Sequence, residues 1–251
     1  MATIETQTLS PKEIVERLST LYGEPVWRPR GDAVTELVLT ILSQNTSDTN
    51  SGRAFLRLRS RFPTWEELLA ADLAEIEAEI QVGGLARIKA PRIKAALQDI
   101  WQRCGSFDLS FLREMPLSEA KEWLRSLPGV GPKTAACVLM FALGRPALPV
   151  DTHVHRVSQR LGLVPAKAGA AEAHELLEAM LEPEEIYPFH VSLIEHGRRL
   201  CRAQRPLCPE CPLRDRCPTA PLYLGTKEPA PKPRVISRTA SAKTALPNAM
   251  L

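Results

Sequence analysis

The seven residues LPGVGPK, at positions 127–133, leave the middle of this chain little freedom in how it folds. Pro128-Gly129-Val130-Gly131 is too short and too rich in glycine to be anything but a tight turn, and Pro132 brings the φ favoured at the first position of a helix. The apolar run behind it predicts a helix from Pro132 through Phe141 that stops at Gly144. Upstream, Ser118 is expected to cap a helix over residues 119–126 that leads straight into the turn. The segment therefore reads as two helices joined by a hairpin. Unpaired backbone N–H groups and partial positive charge at the second helix's N-terminus, with glycines in front, make an anion site with Lys133 beside it.

The rest of the chain carries the same kind of punctuation. Ser10-Pro11-Lys12-Glu13 is a capping box with proline at the first helical position, which predicts a helix from Pro11 to about Tyr22 with Ile14, Val15, Leu18 and Leu21 on one face. After a proline-bearing connector, Leu37, Val38, Leu39, Ile41 and Leu42 read as a nearly fully buried helix that ends in the polar break SQNTSD. Ser47 or Thr46 is placed to cap the next helix, which finishes before Pro63. Thr64 with Glu67 and Asp72 with Glu75 are two more capping boxes, giving two short helices that reach Gly83-Gly84. Pro91 argues that the following helix begins near Ile88, with Gly105 near its end. Beyond Gly144, residues 145–150 form a proline-containing crossover, and Asp151-Thr152 opens a helix ending at Gly162. Residues 170–181 and 183–199 are two further helices, with a kink or break expected at Pro188. No strand alternation and no internal repeat is present, so the expectation is an all-α chain. From Thr219 onward, five prolines and few large apolar residues read as a disordered tail.

At 251 residues and 44% hydrophobic, the chain can bury one sizeable core or two small ones. There is no charged-then-apolar leader, and the longest apolar run, residues 135–143, falls well short of the roughly 20 needed to span a bilayer. These features predict a soluble intracellular protein with no membrane partner. The net charge of +3 is misleading, because residues 219–251 hold five Lys or Arg against Glu228 alone and leave residues 1–218 at −1. Nucleic-acid binding must then come from clustering. Arg87, Lys89, Arg92 and Lys94 form one basic cluster and the six arginines from Arg198 to Arg216 another, facing six acids without a base between Glu66 and Glu79. A polarised surface is expected.

Cys201, Cys208, Cys211 and Cys217 are spaced C-x6-C-x2-C-x5-C. Four thiolates within one loop can close around a single ion or a cubane cluster, whereas a disulfide framework would spread its cysteines along the chain. Zinc ribbons usually present two separated C-x2-C knuckles, and here only Cys208 and Cys211 form one. Cys104 and Cys137 read as core residues. Lys133 serves either as a phosphate contact or as a nucleophilic amine, the neutral form of which a helix N-terminus and partial desolvation favour. Asp151 is a good N-cap, and one carboxylate oxygen can cap while the other faces a reacting centre. Asn45, at the tip of the break, is a turn residue or a probe inserted into a duplex. His153, His155 and His196 read as structural.

Taken together, ELVLTILSQNTSD, the stretch from Gly84 to Ala90, LPGVGPKTA, VDTHVHRV, EHGRRLC and the four-cysteine loop resemble, in order, the endonuclease III family of helix-hairpin-helix DNA glycosylases and abasic-site lyases over about residues 11–218. The resemblance implies two helical domains. Residues 31–145 would be a six-helix barrel containing the helix-hairpin-helix motif, and residues 146–218 an iron-sulfur-cluster domain joined by the N-terminal segment 1–30 and its helix 11–22. A DNA groove would run between them, with residues 219–251 a basic, proline-rich tail. It further implies a 4Fe-4S cluster on Cys201, Cys208, Cys211 and Cys217, with zinc as the alternative, Lys133 as the Schiff-base lysine and Asp151 as the catalytic aspartate. DNA contacts are implied at Leu127, Gly129, Val130, Gly131 and Thr134 of the hairpin, at Arg202 and Arg205 of the cysteine loop, and at Asn45, which fills the gap left by a flipped base. The implied partner is double-stranded DNA containing damaged bases or abasic sites, bound by a cytoplasmic, nucleoid-associated monomer.

Three departures stand out. Asn45 replaces the usual, longer glutamine, Pro132 replaces a basic residue before the lysine, and the tail has no counterpart. The implied reaction is base excision of oxidised pyrimidines followed by β-elimination. The alternatives are a mismatch-specific adenine or thymine/uracil glycosylase and a non-catalytic iron-sulfur DNA-binding protein. The adenine branch lacks the hairpin lysine and carries a glutamate where Thr40 stands, and a pure binder has no use for the VDTH carboxylate.

Overall fold

The computed structural model describes residues 8–224, which form helices α1 (Pro11–Tyr22), α2 (Ala33–Ser43), α3 (Asp48–Arg61), α4 (Trp65–Ala70), α5 (Leu73–Ile80), α6 (Ala86–Cys104), α7 (Leu117–Arg125), α8 (Pro132–Cys137), α9 (Thr152–Leu161), α10 (Ala170–Ala179), α11 (Ile186–Arg199) and α12 (Pro221–Leu224). No strand occurs among the described residues, and none of their helices is long and apolar enough to cross a membrane. The caps do what their residue types allow. In α1, Glu13 N–H donates to Ser10 Oγ at 3.2 Å and Ser10 N–H to Glu13 Oε2 at 2.9 Å. Ser47 caps α3, Thr64 accepts from Glu67 N–H at 3.2 Å, and Gly105 and Gly162 close α6 and α9 with φ of 65° and 77°.

Several boundaries correct the sequence reading. α6 begins at Ala86, with Pro91 inside it. Leu85 accepts the Ile88 and Lys89 N–H groups, both at 2.9 Å, so the first turn closes before the proline, which costs one later bond instead of the helix. α7 starts at Leu117 behind Pro116, and Ser118 lies inside the helix without capping it. Pro188 occupies the first turn of α11, where an N–H has no intrahelical acceptor, and so causes no break. Behind α8 the helix widens into a π turn over Val138–Ala142. The presumed tail starts later than expected: Ala220 is buried and Tyr223 stacks under the Arg160 guanidinium at 5.4 Å, while residues 225–251 lie outside the described range.

Two buried clusters organise the chain. One gathers residues of α2–α8, including Leu37, Ile41, Ile76, Leu97 and Leu124. The other joins α1 to the C-terminal helices through Ile14, Leu18, Val154, Phe189 and Leu213. α8 and its π turn are the common wall: Ala135, Val138 and Leu139 belong to the first cluster, and Cys137, Met140 and Phe141 to the second. The crossover behind that wall is pinned along its length. Arg145 Nη1 donates to the carbonyls of Leu112 and Met115, both at 2.8 Å, Leu148 N–H donates to Glu178 Oε1 at 2.8 Å, and His190 Nδ1 meets Pro149 O at 2.8 Å.

Glu178 of α10 also pairs with Lys121 of α7 at 2.7 Å, so one carboxylate ties helices of both clusters to the crossover. Burial pushes its pKa up, but hydrogen bonds from His174, Lys121 and the Leu148 N–H outweigh this and bring it from 4.5 to about 2. Its stabilisation is therefore complete above about pH 4.5 and is lost as pH falls toward about 2. Glu178→Gln should lower unfolding free energy by roughly 2 kcal/mol at neutral pH, with the gap to wild type closing in acid. A gap in urea melts that ignores pH would mean that the ionised carboxylate is not the anchor.

Candidate active site

A cavity of about 520 Å³ opens where the two clusters meet, lined by α2, the polar break, α8, the end of the crossover, the start of α9 and α11. Lys133, in the first turn of α8, and Asp151, the N-cap of α9, both line it, as does Asn45. Asp151 Oδ1 accepts both the His153 N–H at 2.9 Å and the Val154 N–H at 2.7 Å, so capping occupies one carboxylate oxygen. The charges of Lys133 and Asp151 both act on His190 and on Cys137. Burial dominates at each: it holds His190 well below the usual imidazole range and raises the Cys137 thiol to about 11. His190 is thus neutral, and because Pro149 O can only accept, its proton sits on Nδ1.

The polar break is built from below. Asn45 has φ of 54°, a left-handed conformation that asparagine tolerates. Lys89, only 1% exposed, donates to Leu42 O at 2.7 Å and Gly83 O at 3.0 Å, holding the last turn of α2. This removes Lys89 from the basic surface, and Lys94 likewise donates to Ala71 O, which leaves Arg87 and Arg92 exposed in that cluster. Three of the six arginines in the second cluster are committed too: Arg198 pairs with Asp48, Arg199 with Glu195 and Arg216 with Glu13. The Arg198–Asp48 pair joins α11 to the start of α3 beside the break.

In the hairpin, Val130 N–H bonds to Leu127 O at 3.2 Å, and Gly129 has φ of 76°. A Cβ on Gly129 would meet Arg92 Cγ at 3.1 Å, and Arg92 in turn donates to Gln44 Oε1 at 3.2 Å, so one arginine spans hairpin and break. Gly129 and Gly131 are exposed, whereas Leu127, Val130 and Thr134 are buried.

All four loop cysteines line a single cavity, and every cysteine is a free thiol. No three His, Cys, Asp or Glu side chains among the described residues form a cage for one metal ion. The loop is held from α9, whose arginines one turn apart reach across: Arg156 Nη2 donates to Gly197 O at 2.9 Å and Cys201 O at 3.1 Å, and Arg160 to Arg202 O at 2.6 Å, Ala203 O at 2.9 Å and Cys201 Sγ at 3.4 Å. Gly197 lets α11 approach closely enough for this, since a Cβ there would meet His153 Cβ at 3.0 Å. Arg202 and Arg205 are exposed on the loop. α9 therefore carries Asp151 at one end and the cysteine loop's supports further along.

Sequence reasoning missed Glu36, His190 and Arg30, all of which line the large cavity, and Arg156 and Arg160 under the loop. Glu36 had left a signal: it is the one acid in the apolar helix Ala33–Ser43.

Comparison with known proteins bears on these features together. Residues 38–183 match the profile of the HhH-GPD superfamily of base excision DNA repair proteins. Endonuclease III of Thermotoga maritima is 37% identical over 207 residues, covering 82% of this chain and 89% of that protein. A relative from Arabidopsis thaliana is 40% identical over 162 residues, a stretch that spans 55% of its length. A trapped covalent intermediate of endonuclease III with DNA superposes with a TM-score of 0.73 at 29% identity, over 86% of this chain and 99% of that one. With the polar break, Lys133 and Asp151 gathered on one cavity in that fold, the chain belongs to the HhH-GPD superfamily and, within it, to the endonuclease III family.

Proposed function

We propose that the chain is a bifunctional base-excision-repair enzyme, a DNA glycosylase with abasic-site lyase activity on damaged bases, oxidised pyrimidines first among them, in duplex DNA. The observation that carries this reading is the convergence of Lys133 and Asp151 on one cavity beside exposed hairpin glycines. The damaged nucleotide is flipped into the cavity at a cost of roughly a few kcal/mol, smallest for a weakly paired lesion. Asp151 stabilises positive charge developing on the sugar, and the Lys133 amine attacks C1′ as the base departs. The Schiff base that follows acidifies the neighbouring sugar proton, and β-elimination cuts the strand 3′ to the abasic site. Main-chain amides of the hairpin around Gly129 and Gly131 hold a backbone phosphate, and Arg202 and Arg205 contact another. Asn45 enters the gap left by the flipped base, with less reach than glutamine.

In this reading residues 31–145 and residues 146–218 with α1 are two domains that clasp the duplex. Cys201, Cys208, Cys211 and Cys217 hold a 4Fe-4S cluster, whose contribution is to fix the loop bearing Arg202 and Arg205. The donor set supports this. Four soft sulfur donors from one loop line a single cavity, the arrangement that a shared thiolate-held group requires. Borohydride should link purified protein covalently to an abasic duplex, and the protein should be yellow-brown with four irons per chain. Failure to trap would overturn the lyase assignment, and a colourless protein with stoichiometric zinc the cluster. In duplexes carrying thymine glycol, uracil or mismatched thymine, thymine glycol should be excised fastest.

A further inference from the structure

We propose that Glu36 accepts the proton that Lys133 must lose before its amine can attack the sugar. This rests on Lys133 being the nucleophile and assigns a role to a residue that the mechanism above leaves unused. Glu36 stands on α2, with its side chain 4% exposed, in the wall of the cavity that Lys133 also lines. A carboxylate among apolar neighbours such as Leu37 and Val38 is costly unless a cation or hydrogen bond compensates it. The cations acting on it come from two directions, Arg30 from the connector before α2 and Lys133 from α8. Arg30 is itself stacked over the Phe141 ring at 3.6 Å. Thr40, one turn along α2, donates its hydroxyl to Glu36 Oε1 at 3.3 Å, and Cys137 of α8 feels the charge of Glu36 while its thiol stays protonated. Across the cavity, His190 feels the charges of both Asp151 and Lys133.

The transfer balances without any further reactant. An N–H bond of the Lys133 ammonium breaks and an O–H bond forms on Glu36, so two opposite charges become two neutral groups. This is the form in which a desolvated wall is least costly. The freed Nζ lone pair then bonds to C1′ while the bond from C1′ to the base breaks and the base leaves with that electron pair. Burial raises the Glu36 carboxyl to about 7, against the lowering by Arg30, the Thr40 hydroxyl and Lys133, which suits a group exchanging a proton near neutrality.

The test is the single-turnover rate of trappable adduct formation on a preformed abasic duplex, from about pH 5.5 to about pH 9, for wild type, Glu36→Gln and Glu36→Asp. Wild type should slow as pH falls through about 7. Glu36→Gln, which can still accept from Thr40, should bind the duplex normally, react on the order of 10²-fold more slowly at neutral pH and lose that inflection, recovering in alkali. Glu36→Asp should restore much of the rate and the inflection. A Gln variant with the wild-type profile and a rate within about twofold overturns the proposal. So does an equal loss at every pH, which marks a packing defect. Absence of trapping by the wild type would instead remove Lys133 from its role and this proposal with it.

Discussion

Lys133→Gln is expected to bind an abasic duplex nearly as well as wild type while forming no borohydride adduct and cutting no strand. Glutamine has a helix propensity close to that of lysine, and α8 is launched by Gly131 and Pro132 and buried through Ala135 and Ala136, none of which the change touches. What disappears is the amine. Without it the glycosidic bond can break only through attack by water, and the elimination loses its Schiff base, so the rate of strand cleavage should fall by at least about 10⁴-fold. Gel-shift titration and single-turnover cleavage measured on the same preparation separate the two effects. Loss of binding equal to the loss of cleavage would show that the lysine is a phosphate contact.

The second large effect is expected at Asp151, where capping and chemistry can be pulled apart. Asparagine is as good an N-cap as aspartate, and its carbonyl can accept from the His153 and Val154 amides as Oδ1 does now. Asp151→Asn should therefore change stability by only a few tenths of a kcal/mol. Its negative charge is gone, however, and with it the stabilisation of the sugar cation, so base excision should slow on the order of 10²- to 10³-fold. Asp151→Ala should lose the same activity and a further ~1 kcal/mol of stability, because the first turn of α9 then has no acceptor. Thermal melts alongside excision kinetics read both quantities. An Asn variant that excises as fast as wild type, with Asp151→Ala losing stability, would make Asp151 a structural cap only.

Local chemistry made much of the fold legible. Ser10, Ser47 and Thr64 announce helix starts because their oxygens satisfy amides three residues away, a relation that needs no knowledge of the tertiary fold. The reading failed where distant partners decide. Pro91 lies inside α6 because the first turn closes on Leu85, and Lys89 looked like surface charge because the carbonyl that accepts its hydrogen bond, Leu42 O, is 47 residues away. Arg160 and Tyr223 fold the first residues of the expected tail onto α9. At the candidate site, Lys133 and Asp151 were visible because each sits at a helix start with a strong local signature. Glu36 and His190 were not, since their significance lies in the cavity that α2, α8 and α11 enclose between them. The crossover at residues 145–150 joins these halves, and its fixed path through Arg145, Leu148 and Pro149 explains how Lys133 and Asp151, on either side of it, come to face one space.

The central claim is that the Lys133 amine makes the bond to DNA. Its most direct test is to locate that bond in the native chain: reduce the wild-type adduct on an abasic duplex with borohydride, digest nuclease and trypsin, and sequence the modified peptide by mass spectrometry. The predicted result is a deoxyribose remnant on the fragment spanning residues 126–156, whose single lysine is Lys133, fixed to its Nζ. A remnant on any other amine, such as Lys121 at the end of α7's ion pair with Glu178, would contradict it.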